Sequence, residues 1–398
     1  MSLTADAGCS LIASDEEAIN AAAAYAEAIR PSAIARDLNA QLPHEELRDL
    51  AATGLLGMRV PPSHGGAGVS SATVGEVFRL IAVADPAVAQ IPQNHVAFVD
   101  TVIRYGSDEQ RAFFLPEFLR GARLGNALSE RGGKTSRDFV TRLVRRPDGG
   151  YRLDGRKYYS TGALTAQWIP VFALDDADEI AVAYVPRDAP GVHVDQDWDA
   201  FGQRSTVSGT TTLEDVQVEP EWVIHGALSR PEPNTFAAFG QLIHVAVDVG
   251  IARGALEDGT AFLRERARPW FEADVDRAAD DPQLLRLAGE LEVDVRAAEA
   301  LLARAGAALD EADAGGDVTE ARLAVAAAKA FAGEAALRVA TAIFDFSGSS
   351  AADRRHGLDR HWRNARTHTL HDPARSKHLH LGRHVVDGIA PPPGHPLV

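Results

Sequence analysis

Residues 151–174, YRLDGRKYYSTGALTAQWIPVFAL, change the character of the chain: β-branched and aromatic runs flank a small-residue turn. IAVAYVP (180–186), GVHVDQDWDAFG (191–202) and TVSGTTTLEDVQV (206–218) continue the pattern, separated by Asp-Gly, Asp-Asp and Pro-Gly turn signals. Short strands joined by tight turns predict a central antiparallel β domain, placed at residues 123–230.

On both sides the sequence reads as helix. Before it, a helix capped by Ser14 or Asp15 runs through an alanine-rich stretch, breaks at Pro31, and is followed by another from Pro43 to Thr53. Apolar residues at helical spacing return over Val74–Val83 and, after the turn at Asp85-Pro86, over Val96–Ile103. After it, long helices are expected over Leu242–Arg266, Asp281–Glu311 and Val318–Phe346, with a loop at DAGGD. The fold class is therefore α+β: an N-terminal helical domain (1–122), the β domain, and a C-terminal four-helix bundle (231–398).

Composition narrows the function. The 398 residues, 45% hydrophobic, suffice for a sizeable core. A net charge of -16 argues against nucleic acid or an anionic membrane as partner. The N-terminus lacks a secretory pattern and no segment approaches a bilayer-spanning run, so a cytoplasmic protein is expected. Cys9 is the sole cysteine, which leaves chemistry to His, Ser/Thr, carboxylates or a cofactor. There is no GxGxxG turn, GxxxxGK[ST] loop, GxSxG elbow or HExxH helix, so no nicotinamide or nucleotide site is supported.

Four places could carry chemistry. RNARTHTLHDPARSKHLHLGRH (363–384) holds five histidines. A metal site would use His368 and His371 with His378, His380 or His384, but no carboxylate has a companion spacing, so no metal is expected. Asp372-Pro373 reads as a cap and first position of a new helix, leaving His371 at an exposed joint. His95, in IPQNHVAFVD, fits either a proton carrier or a capping or core histidine. Asn126 and Ser129 in GNALSERGG, and Ser160 and Thr161 in KYYSTGAL, offer hydrogen-bonding groups, although hydroxyls at strand ends commonly cap turns.

Taken together these segments resemble the acyl-CoA dehydrogenase superfamily over nearly the whole chain. GLLGMRVPPSHGGAGVS (54–70), GNALSERGGKTSRD (125–138), KYYSTGALTAQWIPVFAL (157–174) and RNARTHTLHDP (363–373) are similar to its motifs in order and spacing. The resemblance implies a homotetramer built as a dimer of dimers, with a flavin between the β domain and the C-terminal helices. Members of the superfamily that dehydrogenate acyl-CoA take a proton with a glutamate; that slot here is Asp372. A second family position, near HVAVDVGIARGAL (244–256), offers Asp248 and no glutamate before Glu257.

The details, with DWDAFGQR (197–204), RARPW (266–270) and HWRNARTHTLHDP (361–373), are similar to the flavin-dependent monooxygenase branch related to dibenzothiophene monooxygenase. That implies reduced FMN from a separate flavin reductase, molecular oxygen, and a small organosulfur substrate oxygenated through a flavin C4a-(hydro)peroxide in sulfur acquisition. It implies His95 and His371 in proton transfer, Asn126 and Thr161 (or Ser160) beside the flavin N5 and the oxygen site, and Ser129 on the flavin pyrimidine edge. By the same resemblance His368 is expected to contact the flavin or to stand just behind that contact, Trp198 to wall the pocket or pack the β domain, and Arg266 or Arg268 to reach the flavin phosphate of a neighbouring subunit or lie on the surface. An FAD-dependent acyl-CoA dehydrogenase and a non-catalytic protein that keeps the fold are the alternatives.

Overall fold

A computed structural model describes residues 8–135, 138–226 and 234–392. Residues 136–137 of the GNALSERGGKTSRD segment and the expected boundary between 230 and 231 lie outside them.

Among the described residues six helices come first: α1 (Asp15–Ile29), α2 (Ala33–Leu38), α3 (His44–Ala52), α4 (Ser71–Ala84), α5 (Pro86–Tyr105) and α6 (Asp108–Leu119). Ser14 caps α1, its hydroxyl accepting the Glu17 N–H at 3.1 Å. Helix α5 starts ten residues before the apolar periodicity suggests. Asp85 caps it, accepting from the Ala87 and Val88 N–H groups, and Pro86 takes the first helical position, where a missing N–H costs nothing. Pro92 sits inside the same helix. A sequence reading that treats both prolines as breakers shortens it by half.

Seven strands follow: β1 (Arg142–Arg145), β2 (Tyr151–Lys157), β3 (Trp168–Leu174), β4 (Ile180–Pro186), β5 (Val192–Val194), β6 (Thr211–Val218) and β7 (Val223–His225). They form one sheet of order β5-β6-β2-β1-β3-β4-β7. The expected purely antiparallel sheet needs correction, because β1 runs parallel to β3 through Arg142 and Leu174. Strand β3 is apolar throughout because both of its faces are covered. Ile169, Val171 and Ala173 enter the sheet's own core, while Trp168 and Phe172 pack with Phe98, Phe114 and Phe118 of α5 and α6.

The C-terminal region comprises α7 (Phe236–Glu265), α8 (Pro282–Asp313), α9 (Val318–Ser347), α10 (Asp359–His368) and α11 (Ala374–Asp387). Instead of a fourth long helix, the two short ones, α10 and α11, pack against α9. One hydrophobic core joins α4 to α7 and α8, so the N- and C-terminal helices are packed together. Small residues allow the approach: a Cβ on Gly250 of α7 would lie 2.5 Å from the Ala82 Cβ of α4. Contrary to the sequence expectation, α7 is long and apolar enough by length and composition to cross a membrane. Its apolar surface is instead buried between its neighbours, as expected of the central helix of a bundle.

Candidate active site

The turn between α10 and α11 brings residues from four helices into one cluster. On α7, His244 and Asp248 are one turn apart in an otherwise apolar stretch, so both polar side chains point into protein and need partners. Asp248 receives the Lys329 ammonium of α9 at 2.8 Å through Oδ2 and the His368 Nδ1 of α10 at 2.5 Å through Oδ1. The other His368 nitrogen, Nε2, lies 3.0 Å from the His244 Nδ1. The His244 ring in turn lies against His371, centroid to centroid 4.0 Å and tilted by 32°.

Charge in this cluster follows from burial and pairing. Burial alone would raise the Asp248 carboxyl, but Lys329 and His368 outweigh it and hold the group below the usual carboxylate range. Burial opposes charge on Lys329, yet Asp248 and Asp372 keep its ammonium protonated beyond the ordinary lysine value. His244 is pushed well below the ordinary imidazole value by burial and by the cationic groups around it. His368 is also lowered, by burial that Asp248 only partly offsets. The buried chain thus reads ammonium, carboxylate, neutral imidazole, neutral imidazole.

His371 closes the chain at the surface end, with 38% of its side chain exposed. Its Nδ1 lies 3.4 Å from Asp372 Oδ1, and the other Asp372 oxygen is 3.1 Å from the Lys377 ammonium. This overturns the expectation that Asp372 caps a helix. Helix α11 begins at Ala374 behind Pro373 with no side-chain cap, and the Asp372 carboxylate is buried in an ion pair that holds it ionised. His378 approaches Glu334 at 3.3 Å on α11, apart from the buried chain. Among the described residues no three His, Cys, Asp or Glu side chains are arranged to hold a metal ion.

The sheet side of the site is tied to α10 by the loop 198–206. A Cβ on Gly202 would fall 1.9 Å from the Arg363 carbonyl oxygen, so only glycine lets the loop lie this close. The Gln203 N–H donates to Asn364 Oδ1 at 2.6 Å, and Trp198 Nε1–H donates to the Gln203 carbonyl at 2.8 Å. From that carbonyl, hydroxyls of Thr206, Ser208 and Thr161 run in sequence at 2.9, 2.8 and 2.8 Å. Thr161 is therefore committed within this chain. Ser160 is fully buried and its Oγ has no partner, and the Asn126 Oδ1 is likewise buried and unpaired. Asn126 donates weakly to the Tyr159 carbonyl at 3.4 Å, and Tyr159 holds a left-handed backbone with φ of 58°. The Tyr158 N–H donates to the Ser129 carbonyl at 2.8 Å, fixing Ser129 beside the same strand end.

Buried polar atoms without partners are uncommon, and they mark where a polar ligand would complete the structure. Asn126 and Ser160 provide two at the end of β2, and a flavin's ring edge, rich in carbonyl and imino groups, fits that donor and acceptor set.

One residue expected at the site, His95, is engaged elsewhere. His95 is fully buried with both ring nitrogens on backbone: Nε2 is 2.8 Å from the Leu56 carbonyl, and Nδ1 accepts the Leu124 N–H at 3.1 Å. Burial pushes it down to about 4. A ring so engaged pins α5 to two loops and has no nitrogen left for proton exchange, so its expected catalytic part is corrected to a structural one. Arg266 and Arg268 are exposed just past the end of α7. At 1.5 Å per residue Arg266 lies about 33 Å from His244.

Known proteins match the chain over nearly its whole length. Family profiles for the acyl-CoA dehydrogenase N-terminal, middle and C-terminal domains match residues 14–122, 125–216 and 242–375. The dibenzothiophene monooxygenase of Rhodococcus erythropolis is 34% identical, with 96% of each chain covered. The chain belongs to the acyl-CoA dehydrogenase superfamily, in its flavin-dependent monooxygenase branch. The probable FMNH2-dependent monooxygenase SfnC of Pseudomonas putida is 31% identical, covering 91% of this chain and 93% of that one. FMN-bound TdsC of Paenibacillus sp. A11-2 superposes with a TM-score of 0.90 at 30% identity, covering 96% of this chain and all of the other.

Within this branch the cluster has members that sequence reasoning passed over. His244 and Lys329 are absent from the site that the sequence predicts, and Asp248 enters it only as a substitute base. The signal was there: a His and an Asp four residues apart in the apolar run LIHVAVDVG, and one lysine in the alanine-rich AVAAAKAFAG. Buried ionisable groups of this kind require one another.

Proposed function

We propose that this protein is a reduced-FMN-dependent monooxygenase that transfers one oxygen atom to a small organosulfur compound, in the service of sulfur acquisition. The observation that carries the reading is the state of the two carboxylates at the substrate end. Asp372 and Asp248 are both buried in ion pairs with lysines, at 3.1 and 2.8 Å, so neither resembles the free base that α-proton removal from an acyl-CoA requires. In their place stands a line of imidazoles. The kinship with FMN-bound TdsC and the FMNH2-dependent SfnC supports the same reading and favours FMN over FAD.

In this reading Asn126 and Ser160 hold the flavin ring edge with their unpaired atoms, Ser129 adds a further contact, and Thr161 acts within its hydroxyl chain. The flavin, when bound and reduced, supplies the two electrons by which oxygen is divided between the substrate and water. The chain's own task is to keep bulk water away and to manage protons. His371, at the exposed joint, exchanges a proton with the reacting group, and His368 and Asp248 behind it stabilise the charge it carries. Trp198, half-buried and anchored on Gln203, forms a wall of the pocket. The exposed Arg266 and Arg268 serve the flavin phosphate of a neighbouring subunit in a homotetramer, where a guanidinium offers paired donors.

The deciding experiment is aerobic turnover with reduced FMN and a panel of sulfides, sulfones, sulfinates and thiophenes, scored by a mass gain of one oxygen. Anaerobic bleaching of bound flavin by an acyl-CoA, with no oxygenated product from any sulfur compound, would overturn the assignment.

A further inference from the structure

We propose that the cleft between α3, the end of α6 and the turn 163–165 is a binding site for a small oxyanion of sulfur or phosphorus, with Arg123 as its buried anchor. The site is separate from the flavin chemistry and depends on one guanidinium whose charge the fold leaves unanswered.

Arg123 lies in the segment that leads from α6 into the β domain, and it is only 5% exposed. Its terminal nitrogens donate to two carbonyl oxygens, Nη1 to that of Leu47 at 3.5 Å and Nη2 to that of Thr165. Nε is buried without a partner. A guanidinium has five N–H donors, so three are left over. No carboxylate among the described residues forms an ion pair with it, and burial presses its pKa down to about 10. Arg36 and Arg360, buried to the same degree, both meet carboxylates. Arg322 is a further buried arginine held by carbonyls alone, but the cavity beside it is only about 10 Å³. A buried charge is strongly disfavoured unless it is paired, so Arg123 marks a place where an anion completes the structure.

The surroundings supply the room and the donors. Arg123, Leu47 and Thr165 all line a cleft of about 470 Å³, so the guanidinium belongs to its wall. Arg48 and Arg120 stand on the rim, and His44 lies one turn before Arg48 on α3. Two carboxylates temper this charge: Asp49, 3.5 Å from Arg48, and Glu117, paired with Arg120. Both are engaged by rim arginines, which leaves the charge of Arg123 in excess. Gln167 adds a directed donor, because its Oε1 accepts the Arg123 backbone N–H at 2.8 Å and its NH2 is the end left for a ligand. A tetrahedral oxyanion presents a negatively charged acceptor on every side, which suits paired guanidinium N–H groups.

The test is calorimetric titration of the full chain without flavin, at pH 7 and at constant ionic strength set with chloride. Sodium sulfate, sulfite and phosphate are the probes. At least one should bind with a stoichiometry of one per chain and, at millimolar concentration, raise the thermal midpoint. Arg123→Gln should abolish both effects. Arg48→Ala combined with Arg120→Ala, both at exposed positions, should weaken binding about tenfold and keeps the test decisive where Arg123→Gln does not fold. Binding of sulfate or sulfite with no response to phosphate assigns the site to sulfur oxyanions, and the reverse order assigns it to phosphate groups. No binding by any of the three, binding that survives in Arg123→Gln, or an unchanged affinity in the double variant overturns the site.

Discussion

His95 and His371 carry the same ring in opposite circumstances. His371 stands at an open joint with a neighbouring imidazole and a carboxylate, and its removal leaves no cavity. His371→Ala should therefore keep the thermal midpoint and lower product formation by about 10²-fold or more, with peroxide released in place of product; an unchanged oxygenation rate would remove it from the mechanism. His95 is a stability element. Its folded value is pushed down to about 4 from 6.5, so the folded state prefers it neutral. The unfolded chain takes up the proton first, so this contribution is complete above pH 6.5 and is lost as pH falls towards 4, about 3 kcal/mol in all. Urea titrations at pH 7 and pH 4.5 should show a smaller acid loss for His95→Gln than for wild type; equal losses would contradict the assignment. Of the residues that the sequence singles out, Asn126, Ser160 and Thr161 lie near the end of β2, and His368 and His371 lie at the α10–α11 turn. What the sequence could not convey was which histidine had its nitrogens already spent, because the Leu56 and Leu124 backbone groups that occupy His95 belong to distant loops.

Helices α10 and α11 meet at a turn whose form depends on one buried ion pair. Without a side-chain cap on α11, Asp372 gives its charge to Lys377, and both groups are nearly without solvent. Removing one partner strands the other. Asp372→Asn should cost about 3 kcal/mol by leaving an unpaired buried ammonium, and Asp372→Asn combined with Lys377→Met should recover most of it. Chemical denaturation of the two variants checks this, and a double variant no better than the single one would show that the pair is not what holds the joint. The Asp-Pro dipeptide signalled the break between the helices correctly. Its capping part failed because a buried lysine five residues on competes better for the carboxylate than the exposed N–H groups of a helix start, and only the packed helix reveals that Lys377 turns inward. In α5, Pro86, read from the sequence as part of a turn, is the first residue of a helix that Asp85 caps and the surrounding core stabilises.

Across the whole molecule, α7 sets the distances. It carries His244 and Asp248 in its middle, and Arg266 and Arg268 follow its end, Arg266 about 33 Å from His244 at 1.5 Å per residue, which sets the proposed phosphate contact apart from the imidazole cluster of the same chain. The helical order, the central sheet and the long bundle helices were all readable from periodicity and turn residues, because each is specified by local pattern. The partner of the exposed arginines past the end of α7 was not, since the contact proposed for them would lie on a second copy. If the phosphate is held in trans, two separately inactive variants should repair each other. Subunits with His371→Ala retain the arginines, and subunits with Arg266→Ala and Arg268→Ala retain the imidazole chain. Each alone should be nearly inactive, the second through weakened binding of reduced FMN. Co-expressed in equal amounts, they should form mixed oligomers in which some sites receive an intact His371 from one chain and intact arginines from its neighbour. Random pairing would restore roughly a quarter of the wild-type rate per chain. No recovery in mixed oligomers verified by mass spectrometry would place the phosphate contact within a single chain or on other residues, and would detach the end of α7 from the flavin altogether.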